Sequence, residues 1–196
     1  MKITINGIDF NRIMRVCAPA VSRDSLRPGL CHILIECNGA GEGCATALDG
    51  FVLAQTRFPA NGDRGKMLLF LHGLVKEDST VELEYIESTG RTSISDGEMT
   101  ISRIVPAPGM FIPHHKTTKG AQANQKTIHI TLNPPLVKQM LKCMVQGRNT
   151  ALHLDIYGET QPIVVHSEHG AGLILPMRTG DEMKKEPEFW EMIEDG

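Results

Sequence analysis

MKITINGIDFNRIMRVC (residues 1–17) changes its hydrophobic period part-way along. Ile3 and Ile5 alternate with polar neighbours, the period-2 signature of a half-buried strand. Phe10, Ile13, Met14 and Cys17 then recur at i, i+3, i+4 and i+7, which predicts a helix over residues 8–18. Asn6 or Asp9 can cap its start and Pro19 limits its end. TIHITLNPPLVKQMLKCM (residues 127–144) repeats the grammar. Ile128, Ile130 and Leu132 alternate and Asn133 can cap. Pro134 occupies a first turn, where a missing N–H costs nothing. Leu136, Val137, Met140, Leu141 and Met144 give the apolar stripe of a helix over 134–146, ended by Gly147.

Each of these units leads into short apolar runs. After the first come residues 31–37, 44–48 and 51–56, separated by Asn38-Gly39 and Asp49-Gly50. Such dipeptides favour tight hairpins, with Asp49 expected in a type I′ turn. After the second come residues 151–156, 162–166 and 171–175. Between them, 67–71, 81–85, 92–95 and 99–105 also read as strands, with Asp96-Gly97 as another turn. Residues 106–126, rich in Pro and Gly, read as a long loop, and residues 179–196 as an acidic tail containing Phe189-Trp190. The fold class expected is α+β, with two helices packed on antiparallel sheet.

A chain of 196 residues can bury a core without disulfides or metal. Aromatics are only 5%, so that core rests on Ile, Leu, Val and Met. No apolar run reaches the ~20 residues of a membrane helix. The alternating start has no signal-peptide layout, so a cytoplasmic location is expected. Cys17, Cys31, Cys37, Cys44 and Cys143 lack CxxC spacing and read as buried thiols. Twenty basic against 23 acidic residues give a net charge of −3, which excludes a uniformly basic nucleic-acid binder but not a local basic face. Such faces exist on both helical wheels. Arg12 and Arg15 lie opposite the first apolar stripe, and Lys138 and Lys142 are i, i+4 neighbours opposite Leu136, Met140 and Met144. No aromatic interleaves them, which points to phosphate contact rather than base stacking.

Ala45-Thr46-Ala47-Leu48-Asp49-Gly50-Phe51-Val52-Leu53 resembles the A-T-D-G-[HY]-R-L stretch of the bacterial sliding clamp, the beta subunit of the replicative polymerase. Leu173-Ile174-Leu175-Pro176-Met177-Arg178 resembles that family's closing M-P-M-R-L. The resemblance implies a DNA-clamp-like fold and a non-catalytic processivity factor. Its helices would present Arg12, Arg15, Lys138 and Lys142 to duplex DNA phosphates. Pro176, Met177 and Arg178 would border a pocket for peptides of a polymerase or another replication protein. Family chains carry three domains and pair into a ring, so a homo-oligomer is also implied. Two layouts are open. One is a single clamp domain, residues 1–63 with 126–178, holding a strand-rich insert at 64–125. The other is a first domain without its second helix, followed by half of a second domain.

Other candidates read as structural. His114-His115 lies in the Pro/Gly loop without metal-ligand spacing, His166/His169 read as surface residues, and His129 and His153 as facing solvent or the helix layer. Ser22, Ser25, Asp24 and His32 form no triad motif. Gly39–Gly43 joins two strands and lacks the Lys-Ser/Thr of a phosphate cradle. No cofactor, metal, membrane partner or enzymatic activity is expected. The alternative function is a protein-interaction module that kept the clamp fold without closing a ring. In the tail, Phe189, Trp190 and Ile193 are expected to dock in an apolar groove, or else to cover the core as a terminal helix.

Overall fold

The computed structural model describes residues 1–112, 130–144, 151–168 and 170–177. The described residues divide into two compact units, one within residues 1–112 and the other within residues 130–177.

In the first unit the order is β1 (Lys2–Asn6), α1 (Gly7–Cys17), β2 (Ile33–Cys37), β3 (Glu42–Leu48) and β4 (Leu53–Pro59). A short β5 (Asn61–Gly62) precedes β6 (Gly65–Leu69), β7 (Thr80–Ile86), β8 (Arg91–Ser95) and β9 (Thr100–Ile104). They build two antiparallel sheets, β4-β3-β2-β6 and β5-β1-β7-β8-β9. The meander β2–β4 follows β1, and the meander β7–β9 follows β6. Each opening strand joins the other half's meander: β1 pairs with β7 through Ile3↔Leu83, and β6 pairs with β2 through Ile35↔Met67. Residues 64–104, part of the stretch 64–125 that one of the two layouts makes an insert, therefore supply strands to both sheets. An insert would have paired within itself; here the partners of β1 and β2 come from it.

The first half has α1 between its opening strand and its meander. The second half has residues 70–79 there, with no helix. This segment is fixed to α1 by Asn11. Its buried side chain donates to the Val75 carbonyl at 2.9 Å and accepts from the Val75 N–H at 2.9 Å. Gly7 completes the attachment. Its N–H donates to the Ser79 carbonyl at 2.8 Å, and a Cβ there would stand 2.1 Å from the Lys76 oxygen.

The helix itself is as expected within one residue. Asn6 caps it by accepting from the Asp9 N–H at 2.7 Å, and Phe10, Ile13, Met14 and Cys17 are all buried. All five residues of β2 are buried, so that strand is covered on both faces. The two Asp-Gly turns differ from the expectation. No non-glycine residue among the described residues has positive φ, which a type I′ turn needs at Asp49. Each is a four-residue loop in which the aspartate accepts backbone N–H groups two and three positions on. Asp49 Oδ1 takes those of Phe51 and Val52, and Asp96 Oδ1 takes those of Glu98 and Met99. Within each of these two turns only the glycine, Gly50 at φ +102° and Gly97 at φ +88°, enters positive φ.

The second unit holds α2 (Pro134–Met144) and a three-stranded antiparallel sheet, β10 (His153–Asp155), β11 (Ile163–Ser167) and β12 (Gly170–Ile174), in that order. Val137 and Met140 of α2 pack on Ile163, Val165 and Ile174. Leu136 and Leu141, expected in the same stripe, are 45% and 43% exposed. The apolar contact is narrower than the sequence stripe because a three-stranded sheet covers only one side of it. Residues 130–132 are not in a strand, and the rest of the strand expected there lies outside the described residues. No helix among the described residues is long and apolar enough to cross a membrane.

Candidate nucleic-acid interface

The outer face of α1 carries Ile8, Arg12, Arg15 and Val16, all exposed. The two arginines differ in their surroundings. Arg12 is held in place: Nη2 lies 2.5 Å from Asp9 Oδ1 and donates to the Arg57 carbonyl at 2.7 Å. Asp9 is buried, so Arg12 compensates an acid of its own helix and ties that helix to β4. Arg15, in the last turn, has no ion pair among the described residues. There its charge also complements the negative end of the helix dipole.

On α2, Lys138 and Lys142 are exposed and without ion pairs among the described residues. With Pro134, Pro135 and Gln139 they line a shallow depression along the helix. No acid stands in the helix. Arg15, Lys138 and Lys142 are thus open cations, and Arg12 is a structural one that keeps a half-exposed edge.

The closing segment is anchored within its own unit. The Met177 N–H donates to the Thr131 carbonyl at 2.7 Å; Pro176 is half-buried and Met177 exposed. Just before it, Leu136, Met140 and Cys143 of α2 and Leu173 and Leu175 at β12 line a groove of about 290 Å³. Arg178, Phe189, Trp190 and Ile193 lie outside the described residues, as do His114, His115, His129 and His169.

Two features escaped the sequence reading. His153 and His166, opposite one another on β10 and β11, stack with ring centres 4.8 Å apart, and His166 Nε2 lies 3.3 Å from Asp155 Oδ2. Strand register alone brings them together, and the register was not readable from isolated histidines. No group of three among the described residues is placed to hold a metal. The second feature is the thiols. Cys17, Cys37 and Cys44 are buried as expected, and loss of solvent pushes each up to about 12. Cys31 is half-buried and Cys143 exposed, against the expectation for all five.

No family model matches the chain, and no curated protein matches it in sequence. Solved structures do match. A Caulobacter crescentus beta sliding clamp superposes at TM-score 0.66, with 16% identity over 91% of this chain and 51% of that one. The sliding clamp of Bacillus subtilis gives 0.59, with 12% identity over 92% and 65%. The DNA polymerase III beta subunit of Borrelia burgdorferi gives 0.65, with 9% identity over 89% and 47%. The chain has the sliding-clamp fold. The α+β clamp-like class expected from the sequence is therefore met. At these identities the likeness is one of fold. The chain spans about half the length of the Caulobacter and Borrelia clamps and 65% of the Bacillus clamp.

Proposed function

We propose that this clamp-like chain is a non-catalytic processivity factor. It contacts duplex DNA through phosphates and tethers a replication protein. The observation that supports this most is the conjunction of the clamp fold over about 90% of the chain with open cations on both described helices. Arg15, Lys138 and Lys142 carry the phosphate contacts, and Arg12 contributes its exposed edge. Pro176, Met177 and Arg178 border the partner site. Phe189, Trp190 and Ile193 dock on an apolar surface of their own chain or of a neighbour. In this proposal the chain is one clamp domain lacking its second helix, followed by half of another, and it closes a ring by homo-oligomerisation.

A salt titration of duplex binding tests the DNA part. Each lost phosphate contact lowers the slope of log K against log salt by ~0.9. Arg15→Glu, Lys138→Glu and Lys142→Glu together should abolish binding and leave the melting temperature nearly unchanged, because all three sites are exposed. Parent-like binding by the triple variant would remove the helices from the DNA face. Light scattering tests the ring: a monomer at high concentration overturns it. The open groove lined by Leu136, Met140 and Leu173 favours a second reading, a protein-interaction module without a ring. That reading predicts peptide binding by a monomer with no duplex affinity.

A further inference from the structure

Leu26 and Phe51 are the most exposed large apolar side chains among the described residues, at 89% and 95%. Val52 beside them is 55% exposed. Together the three make an exposed apolar patch, the kind of surface that marks an interaction site where a lone apolar residue does not. Each of the two sits on a pinned turn. Asp49 holds the N–H groups of Phe51 and Val52, at 2.8 and 2.7 Å. Asp24 Oδ1 accepts from the Leu26 N–H at 3.0 Å, and the Asp24 carbonyl accepts from the Arg27 N–H at 3.0 Å. The two turns meet: Arg27 Nη1 lies so close to Gly50 that a Cβ there would be 2.9 Å from it. Leu26 and Phe51 are thus displayed on adjoining, preorganised turns.

Two arginines, Arg23 and Arg27, share this surface with two carboxylates, Asp24 and Asp49. Both aspartates spend carboxylate oxygens on backbone N–H groups of their own turns. Arg23 is exposed with no ion pair among the described residues. Arg27 is half-exposed, with its Nε 3.4 Å from Asp24. Arg15 stands in the last turn of α1, which leads through the 3-10 turn Ala18–Ala20 into this loop. A flat apolar ring flanked by arginines complements a ligand with π-faces strung on an anionic backbone. A closed duplex opens its base faces only at the cost of unstacking, so an unpaired base is the less costly partner.

We propose that this prong binds an unpaired nucleobase next to duplex DNA, with Phe51 stacking on the base and Arg23 and Arg27 meeting the adjoining phosphates. This rests on the nucleic-acid reading above and extends it to the single-strand junction. It also replaces the expectation of phosphate contact alone, since the chain fold supplies the aromatic that the helices lack.

The test compares a fluorescein-labelled blunt duplex with the same duplex carrying a dT overhang, using the full chain. Loss of one stacked base costs about tenfold in affinity. Phe51→Ala should lose that factor on the overhang probe and stay within twofold on the blunt one. Phe51→Trp should keep it, and its added emission should be quenched by the overhang beyond the change seen with Trp190 alone. Because Phe51 is almost fully exposed, thermal melts should coincide. If the overhang adds nothing to the parent's blunt-duplex affinity, or Phe51→Ala weakens both probes equally, the prong is overturned while the phosphate reading stands. If the parent binds the overhang probe alone, the prong stands and the duplex reading falls. If it binds neither, both fall. Self-association abolished by Phe51→Ala would make a second copy the occupant and overturn the nucleobase.

Discussion

Asn11→Ala is the sharpest test of how this domain manages without a second helix. The side chain is 2% exposed and satisfies both the N–H and the carbonyl of Val75, each at 2.9 Å. Truncation removes two bonds worth about 0.5–1.5 kcal/mol each net, and leaves two backbone groups without a partner. Were those groups fully buried, the penalty would rise by a further ~1–3 kcal/mol for each. Val75 is only half-buried, so water reaches part of the site and the lower end applies. The expected cost is about 2 kcal/mol. For a unit of this size that lowers the melting temperature by roughly 8 °C. Urea unfolding followed by circular dichroism gives the free energy, and an unchanged m-value shows that the loss lies in stability rather than compactness. Asn11→Asp is the companion variant. It keeps the acceptor for the Val75 N–H but sets a carboxylate against the Val75 carbonyl, and at neutral pH it should be worse than alanine. A cost below about 0.5 kcal/mol for Asn11→Ala, within ordinary surface values, would refute the view that this residue fixes residues 70–79 to α1.

Arg12→Ala should cost about 1–2 kcal/mol, since it strands the buried Asp9 carboxylate, and should change the salt slope of DNA binding less than Arg15→Ala does. Paired unfolding and DNA titrations check it; the opposite order would make Arg12 the main phosphate contact. With a thiol reagent at neutral pH, Cys143 and Cys31 should react in the native state. Cys17, Cys37 and Cys44, pushed up to about 12 by burial, should react only on unfolding. Rapid labelling of more than two thiols would contradict the buried placement. The Asp49 carboxyl is held below its ordinary 3.8 by the N–H groups of Val52 and Phe51, and Asp96 likewise by those of Met99 and Glu98. Both turns are therefore fully supported above pH 3.8 and lose that support as pH falls through the lowered values. NMR titration of those four amides should show midpoints below 3.8; midpoints at or above it would refute the turn geometry.

Much of the fold was written in local periods. The stripe Phe10–Ile13–Met14–Cys17 places α1 to within one residue at each end, period-2 alternation finds β1 and β7, and short apolar runs between turn dipeptides find the first meander. The exchange of opening strands was not legible. Nothing in residues 1–6 or 64–69 names a partner, because pairing is a long-range choice between equally good edges. The layout with an insert at residues 64–125 follows directly from that blindness. The site divides in the same way. A helical wheel shows that Arg15 faces water, but not that Arg12 meets a carbonyl of β4 brought in from residue 57. Asp49 reads as a type I′ turn residue, and Asp96-Gly97 as another tight turn, because the dipeptide permits them. The neighbouring N–H groups drew each aspartate into a wider loop, which set Phe51 at its tip. Sequence adjacency could not foresee that Leu26 and Phe51 would be carried on meeting turns.

The exchanged strands also govern what the ribosome delivers and when. Ile3 finds its place beside Leu83, so β1 emerges roughly 80 residues ahead of the strand that completes it. At about 5–20 residues per second, that is a wait of roughly 4–16 s. Through it, β2, β3 and β4 can pair with one another, but β1 has only the two-residue β5 to pair with and β2 keeps one open edge until β6 arrives. A nascent chain halted between residues 60 and 80 thus carries an apolar strand with no home, which is a site for chaperone capture or for pairing with a neighbouring chain. Only when residues 80–86 clear the exit tunnel can the first and last parts of this unit close on each other.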